Sequence, residues 1–364
     1  MKILVLGGCG DMALVALEAL ATEEGVERIT IADLNLDKAR SIASKMGERF
    51  AASRIDAMNH GEVTALMKEH DVTLCFVGPF YIFEKRLAEA AIEAGVPYVS
   101  ISDDYDAYLE VITLEEEAAK KGVKILTGFG NSPGITQVLA KKGYQSMDEP
   151  KRINVHWAAG PNEAVGPANI KHVLHILSGE TLQWIGGREV AVKTGKGKKM
   201  VDFPEPIGKI PAVYTGHAES VSIPRNLPGL EEVTLHGGVN PPWIFSLASL
   251  LGRLGLTTTH ARRERLTRML VPLLGLFAAT GPDRSVFRID VYGNDKGRPV
   301  HRYYTGVGHI AFITSIPAVT AALWLLRGVW DDLPGGVYSA ERICDPDPFL
   351  DELARRGVEL HYHE

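Results

Sequence analysis

The apolar run Lys2-Ile3-Leu4-Val5-Leu6 passes directly into Gly7-Gly8-Cys9-Gly10-Asp11-Met12-Ala13, and a helical pattern continues to Leu20. A strand that turns on glycine straight into a helix restricts the fold more than any other feature of this chain. Gly8, Gly10 and Ala13 keep the G-x-G-x-x-G/A spacing of a turn that holds a dinucleotide pyrophosphate. Gly8 permits the tight turn, Gly10 lets the backbone come up to the phosphates, and Ala13 lets helix and strand pack closely. The helix start, with Asp11 and Met12 in its first turn, offers open N–H groups and the positive end of a dipole to an anion. Such turns also occur without a ligand, so a second signal is needed. Arg28-Ile29-Thr30-Ile31-Ala32 supplies it by ending at Asp33, 20 residues after Ala13, where a carboxylate takes the adenosine ribose hydroxyls. Leu34 and Asn35 follow instead of an arginine for a 2′-phosphate, so NAD is expected over NADP. Asp33 is equally placed to cap the next helix.

As far as residue 130, strand-like runs (Lys2–Leu6, Arg28–Ala32, Thr73–Val77, Tyr98–Ile101, Lys124–Thr127) alternate with helical ones (Asp11–Glu23, Leu36–Met46, Gly61–Glu69, Phe83–Ala94, Leu114–Lys121). Gly95 and Gly122 stand where two of these helices should end. Regular alternation of this kind predicts a doubly wound parallel sheet covered on both faces. Beyond Pro133 the pattern becomes a more antiparallel sheet, with strands at Arg152–Ala158, Glu189–Val192, Lys199–Phe203, Ser220–Ile223, Glu232–Gly237 and Ser285–Tyr292. Gly195-Lys196-Gly197-Lys198 reads as an exposed hairpin tip, and Asn294-Asp295-Lys296-Gly297 as another. Residues Ile244–Thr280 are mainly helical in pattern, as are Ile310–Gly328 and Phe349–Gly357; Val358–Tyr362 closes the chain as a strand.

A length of 364 residues allows two domains with real cores. The net charge of −6 argues against a nucleic-acid partner, which needs a basic face. Cys9, Cys75 and Cys344 are too few and too scattered for a disulfide framework. The apolar start reads as a strand and not as a signal peptide, so a cytoplasmic setting is expected. Ile310–Leu326, at 17 residues, falls short of the roughly 20 a membrane span needs and reads as a helix buried between domains. Met269–Ala279 is also core-like, and no membrane partner is expected. No group of His, Cys, Asp and Glu has metal-ligand spacing.

Several segments together resemble the saccharopine dehydrogenase-like family: Leu4–Ala13, Val77-Gly78-Pro79-Phe80, Gly128–Ala140 (GFGNSPGITQVLA), Tyr214–Arg225 (YTGHAESVSIPR), Gly306–Gly328 and Gly335–Glu359. Asp33 and the tail agree best with its lysine 6-dehydrogenase-like branch. The resemblance implies an α/β fold in which a Rossmann domain (residues 1–132 plus 306–364) carries an inserted α+β domain (133–305) for substrate and dimerisation. It also implies a homodimer, an amino-acid substrate, and oxidation of an amine or reduction of an imine beside a nicotinamide ring. The expected activity is therefore NAD-dependent hydride transfer at the amine-bearing carbon of a basic amino acid. The alternatives are a saccharopine- or carboxynorspermidine-type dehydrogenase acting on a larger secondary amine, or a non-catalytic NAD-binding sensor.

Ligands of a doubly wound sheet lie beyond the carboxyl ends of its strands. Gly78, Pro79 and Phe80 leave a strand there and are candidates for the dinucleotide, as are Asp56 and Ala57, which resemble the family's adenine-side contact. Asn131 is a candidate for the nicotinamide carboxamide, and Pro133 suits a first helical turn; both also fit ordinary capping. Asp103 and Asp104, next to each other after a strand, suit proton transfer if one pKa is raised, or capping of the following helix. In the second domain the imidazole of His217 suits moving a proton, Glu219 suits an ammonium group, and Arg225 suits an α-carboxylate. The alternatives there are a satisfied core imidazole and a surface ion pair. His156 and His309 are lesser candidates.

Overall fold

A computed structural model describes residues 1–163, 167–257, 259–278 and 282–364. Its chain divides into two compact units, Met1–Ile135 with Ala311–Ile343, and Thr136–Ile310 with Cys344–Glu364. In the first, the order is β1 (Lys2–Leu6), α1 (Asp11–Ala21), β2 (Arg28–Asp33), α2 (Leu36–Met46), β3 (Phe50–Arg54), α3 (His60–Met67), β4 (Val72–Cys75), α4 (Phe80–Ala94), β5 (Tyr98–Ser100), α5 (Tyr105–Val111), α6 (Glu115–Lys121) and β6 (Lys124–Leu126), the predicted alternation with β3 and α5 added to it. All their strand pairs are parallel, in the order β6-β5-β4-β1-β2-β3. The central strands are buried apart from Lys2 at the start of β1, which explains their apolar runs. Gly95 and Gly122 end α4 and α6 in the left-handed region, with φ of 74° and 69°. The chain goes outward from β1 through β2 to β3, then returns to lay β4 on the other side of β1.

The second unit begins with α7 (Ile135–Gln145) and β7 (Glu149–Ala159). It continues with α8 (Pro167–Ile176), β8 (Glu180–Ile185), β9 (Arg188–Lys193), β10 (Lys199–Asp202), β11 (Lys209–Tyr214), α9 (Glu219–Asn226), β12 (Glu232–Val239), α10 (Trp243–Arg253), α11 (His260–Ala278), β13 (Ser285–Asp295) and β14 (Arg298–Gly308). Then α12 (Ile310–Leu326), β15 (Gly336–Tyr338) and α13 (Ala340–Ile343) return to the first unit, where β15 pairs with β6. Last come α14 (Pro346–Arg355) and β16 (Glu359–His363), which pairs with β14. The second sheet runs β10-β11-β12-β7-β13-β14-β16, with the β8–β9 hairpin joined to β12. Among the described residues only β12 and β7 pair in parallel within it.

Several expectations change. Ser220–Ile223 is no strand but the middle of α9; every residue from Glu219 to Ile223 is buried, so its alternating polarity marks no face. Gly195–Lys198 is no hairpin tip, because β9 pairs with β8 and β10 pairs with β11. Its backbone instead bridges to β11, with Gly195 N–H donating to the Tyr214 carbonyl and Tyr214 N–H to the Lys196 carbonyl. The expected 306–364 block is divided, since α14 and β16 belong with the second sheet. The Asn294–Gly297 turn does join β13 to β14, with Lys296 and Gly297 at φ of 51° and 72°. α12 has the expected ends and is largely buried, and no helix among the described residues is long and apolar enough to cross a membrane. Met269 is exposed, and residue 279 at the end of the expected core-like run lies outside the described residues, as does residue 280.

Candidate functional site

The loops after β1, β4, β5 and β6 leave four adjacent strands at their carboxyl ends, and the order reverses between β1 and β4. That is where a doubly wound sheet opens a crevice. At the β1 turn, the Gly7 and Gly8 amides donate to the Ala32 carbonyl at 2.9 and 3.3 Å. A Cβ on Gly8 would stand 2.7 Å from Ile31 Cγ2, so the close passage of turn and strand demands glycine. Gly10 differs: a Cβ there would meet nothing nearer than the Gly7 carbonyl at 3.5 Å. Gly10 is the N-cap of α1 and gives it no capping side chain, which leaves the helix start bare for an anion. The Ser315 hydroxyl of α12 fixes the far side of this turn by donating to the Met12 carbonyl at 2.7 Å.

Asp33 ends β2 with its carboxylate accepting from Cys9 N–H at 3.1 Å and Asn35 N–H at 3.0 Å. It does not cap α2; the Asn35 side chain does, accepting from Lys38 N–H. Burial, and then the Asp33 charge, push the Cys9 thiol up to about 11, so Cys9 is no thiolate. Asp56, beyond β3, takes Met58 N–H at 2.9 Å and shapes its own turn, with Ala57 packed on the core beside it.

Gly78 and Pro79 lead into α4, with Pro79 at the N-cap and Phe80 as first helical residue. Asp104 is buried at the N-cap position of α5, but its carboxylate does not cap that helix; it reaches the first turn of α4 and accepts from Tyr81 N–H at 3.3 Å. Asp103 beside it is half-buried. After β6, Gly130 N–H donates to the Pro133 carbonyl at 3.0 Å, and Gly134 at φ 120° lies too close to Gly130 for any side chain. Pro133 therefore belongs to this tight turn and not to a first helical turn, since α7 starts at Ile135. Asn131 projects from it, 5% exposed, with Oδ1 accepting no hydrogen bond among the described residues. A buried amide oxygen of this kind is open to a donor from a ligand or an ordered water.

One residue of this edge escapes sequence reasoning. Glu84 of α4 is 1% exposed, with Oε1 accepting from the Ser100 hydroxyl at 2.6 Å and the Thr127 hydroxyl at 2.7 Å, and Oε2 from Tyr98 at 3.0 Å. It thereby ties α4 to the ends of β5 and β6, from which the Asp104 and Asn131 loops spring. Burial pushes its carboxyl above the usual range, against the pull of the three hydroxyls. The signal was present in the sequence: Glu84 leads the apolar face formed by Leu87, Ala88, Ala91 and Ile92.

In the second unit, Glu219 opens α9 fully buried, and Oε1 accepts from the Thr136 hydroxyl at 2.8 Å. His217 is also buried and stacks on Trp157, ring centroids 5.2 Å apart. Arg225, at the far end of α9, pairs with Glu189 at 2.5 Å and donates to the Val221 carbonyl. Its guanidinium is thus engaged in a structural ion pair and not presented as an open carboxylate clamp. His156 is no neutral-pH shuttle: burial drives it down to about 4, although Asp290 Oδ2 is 3.7 Å away. Its cross-strand neighbour His236 falls to about 2, through burial and then the His156 charge. His309 is exposed and contacts Glu163 and Arg284. Asp290 accepts from Arg288 at 2.8 Å and His301 at 2.7 Å. Burial alone would raise its carboxyl, but the Arg288 hydrogen bonds hold it below the usual range.

Residues 3–126 match the saccharopine dehydrogenase NADP binding domain. Carboxynorspermidine synthase from Vibrio alginolyticus is 26% identical over 418 aligned residues, covering 100% of this chain and 97% of that protein. Saccharopine dehydrogenase [NADP(+), L-glutamate-forming] from Saccharomyces cerevisiae is 26% identical over 159 residues, 44% of this chain and 32% of the relative. The solved structure of apo saccharopine dehydrogenase (L-Glu forming) from Saccharomyces cerevisiae superimposes with a TM-score of 0.69 at 17% identity, covering 100% of both chains, a likeness of fold.

Proposed function

We propose that the chain is a saccharopine dehydrogenase-like oxidoreductase that moves a hydride between a nicotinamide ring and the nitrogen-bearing carbon of an amino-acid-derived amine. The reading rests on one observation above all, the uncapped start of α1 behind Gly8 and Gly10 at the β1/β4 reversal. In this reading the bare amides of α1 hold the pyrophosphate, Asp33 the adenosine ribose, and Asn131 the nicotinamide carboxamide. Bound there, the coenzyme supplies or accepts the hydride at its ring. The protein's remaining tasks are to align the substrate carbon and to keep its nitrogen neutral while hydride moves. Asp103 beyond β5 is proposed to take that proton and Asp104, tied to Tyr81, to fix the loop; His217, stacked on Trp157 in the second unit, is the other candidate for the proton.

The Asp33 carboxylate favours NAD, since it would meet a 2′-phosphate with like charge. For substrate, the full-length likeness to carboxynorspermidine synthase supports a carboxylated secondary amine, with a basic amino acid such as lysine as the second reading. The test is to follow coenzyme absorbance with NAD and NADP against carboxylated polyamines, saccharopine and basic amino acids. Turnover of one amine class, lost in Asp103→Asn with coenzyme affinity kept, is the expected result. Tight coenzyme binding with no turnover of any amine would overturn the catalytic reading in favour of a sensor.

A further inference from the structure

Near the starts of β7 and β12 and the end of β13, a cavity of about 400 Å³ opens in the second unit. Every residue lining it belongs to that unit, whereas the residues assigned above to the coenzyme belong to the first. Arg152, Glu232 and Tyr292 all line it and share one row of the sheet, since Arg152 is in register with Glu232 on β12 and with Tyr292 on β13. The next row on this face satisfies itself: the Thr234 hydroxyl donates to Asn154 Oδ1 at 2.8 Å. Arg152 and Glu232 do not. They carry opposite charges on neighbouring strands, where such residues ordinarily pair. Yet neither forms an ion pair with the other or with any other described residue. His217 belongs elsewhere, because it stacks on Trp157, whose side chain alternates to the opposite face of β7 from Arg152.

The arginine is held ready for an anion. Its Cζ lies 4.1 Å from the Tyr292 ring centroid, and His301 on β14 stacks on the same ring at 4.2 Å, which braces the guanidinium plane. Stacking takes up a face of the guanidinium, and the N–H groups along its edge still suit a carboxylate. Arg152 Nε is buried and finds no acceptor among the described residues. Lys199 feels the Glu232 charge without pairing with it. The Lys151–Glu231 pair beside the cavity, at 3.4 Å, is exposed and costs little to open. An ordered water could serve Arg152 Nε but would neutralise neither charge. A simple anion would answer Arg152 and be repelled by Glu231 and Glu232, and a simple cation would meet the reverse. A molecule that carries a carboxylate and an ammonium side by side answers both.

We propose that this cavity binds a free α-amino acid as its zwitterion, the carboxylate on Arg152 and the ammonium on Glu232. The proposal goes beyond the dehydrogenase reading and is independent of it. It is tested by calorimetric titration of the full chain with the common L-α-amino acids, followed by the N-acetyl and amide forms of whichever binds. Each derivative lacks one of the two charges and should bind at least about tenfold more weakly than the parent. Arg152→Met and Glu232→Gln should each weaken the parent by at least about tenfold, with coenzyme affinity unchanged. In Glu232→Gln the parent should also lose its advantage over the N-acetyl form. Glu232→Gln keeps shape and length, so it carries the test if Arg152→Met, which also loses the Tyr292 stack, fails to fold. No heat from any of the amino acids, or an N-acetyl form that binds as tightly as its parent, would overturn the proposal. So would binding that both variants retain, which would place the ligand elsewhere, as with a substrate. Amine turnover is a separate readout: its absence counts against the dehydrogenase reading and leaves this site unaffected.

Discussion

Glu84 allows a sharp test of how the coenzyme edge is held together. In Glu84→Ala three buried hydroxyls, those of Tyr98, Ser100 and Thr127, lose their common acceptor. Each orphaned hydroxyl costs about 1–3 kcal/mol, and the truncated side chain leaves a cavity. Because serine and threonine can turn to nearby carbonyls, the expected loss is about 3–5 kcal/mol, short of the full sum. Glu84→Gln keeps shape and length. Its carbonyl oxygen can take Ser100 and Thr127, and its amide can donate to Tyr98 if that hydroxyl reverses, so the loss should stay below about 1.5 kcal/mol. The pH dependence follows from the raised pKa. The folded protein keeps the Glu84 proton at pH values where the unfolded chain, with an ordinary value of 4.5, has released it. Its favourable contribution is therefore fully present below pH 4.5 and is lost as pH rises through the higher folded-state value. Glutamine has no such proton, so Glu84→Gln should gain on wild type as pH rises. Urea unfolding followed by circular dichroism, from about pH 4.5 to pH 8, measures both effects. If glutamine costs as much as alanine, or the gap to wild type does not vary with pH, the account of a buried carboxyl with a raised pKa is wrong.

Three further outcomes are expected. Gly8→Ala drives a methyl group against Ile31 at 2.7 Å, which should destabilise the protein by about 1–3 kcal/mol and lower coenzyme affinity at least tenfold in calorimetry; unchanged affinity would separate this turn from the coenzyme. Asp33→Ser should weaken NADH binding by about 1.5–3 kcal/mol while NADPH binding holds or improves, read from dissociation constants for the two coenzymes; equal losses for both would mean that Asp33 does not choose between them. Asp290→Asn leaves Arg288 without its carboxylate and should cost about 2–4 kcal/mol near neutrality. Asp290 is depressed below 3.8, so its stabilisation is present above that value and fades as pH falls through the folded-state value; the gap between variant and wild type in urea midpoints should close in acid.

The elements legible in the sequence were those whose signals are local. The β1 turn, the glycine ends of α4 and α6, and both limits of α12 follow from neighbouring residues alone. Segments set by distant partners were not legible. β3 is a partly polar edge strand and β15 has three residues; β16 itself was legible as the closing strand, but its pairing with β14, 60 residues earlier at Tyr303 and His363, was not. Ser220–Ile223 misled because period-two polarity tells faces apart only when one of them is wet. The site divides in the same way. The dinucleotide turn and Asp33 show themselves by spacing. The engagement of Arg225 by Glu189 depends on a pairing that no sequence interval shows. Glu84 and the Arg288–Asp290 pair were within reach, the first as an acid on an apolar helix face and the second as alternate residues on one side of a strand.

β15 has a consequence for how this molecule comes into being. Until the ribosome has made residues 336–338, the outer rim of β6 has no strand to saturate its amides and carbonyls, although everything else in the parallel sheet is already available. A nascent or truncated chain stopping near residue 135 would display that open rim as a template for intermolecular pairing. Expressed alone it should aggregate, and a fusion that joins residues 311–343 directly behind it should restore a well-behaved domain.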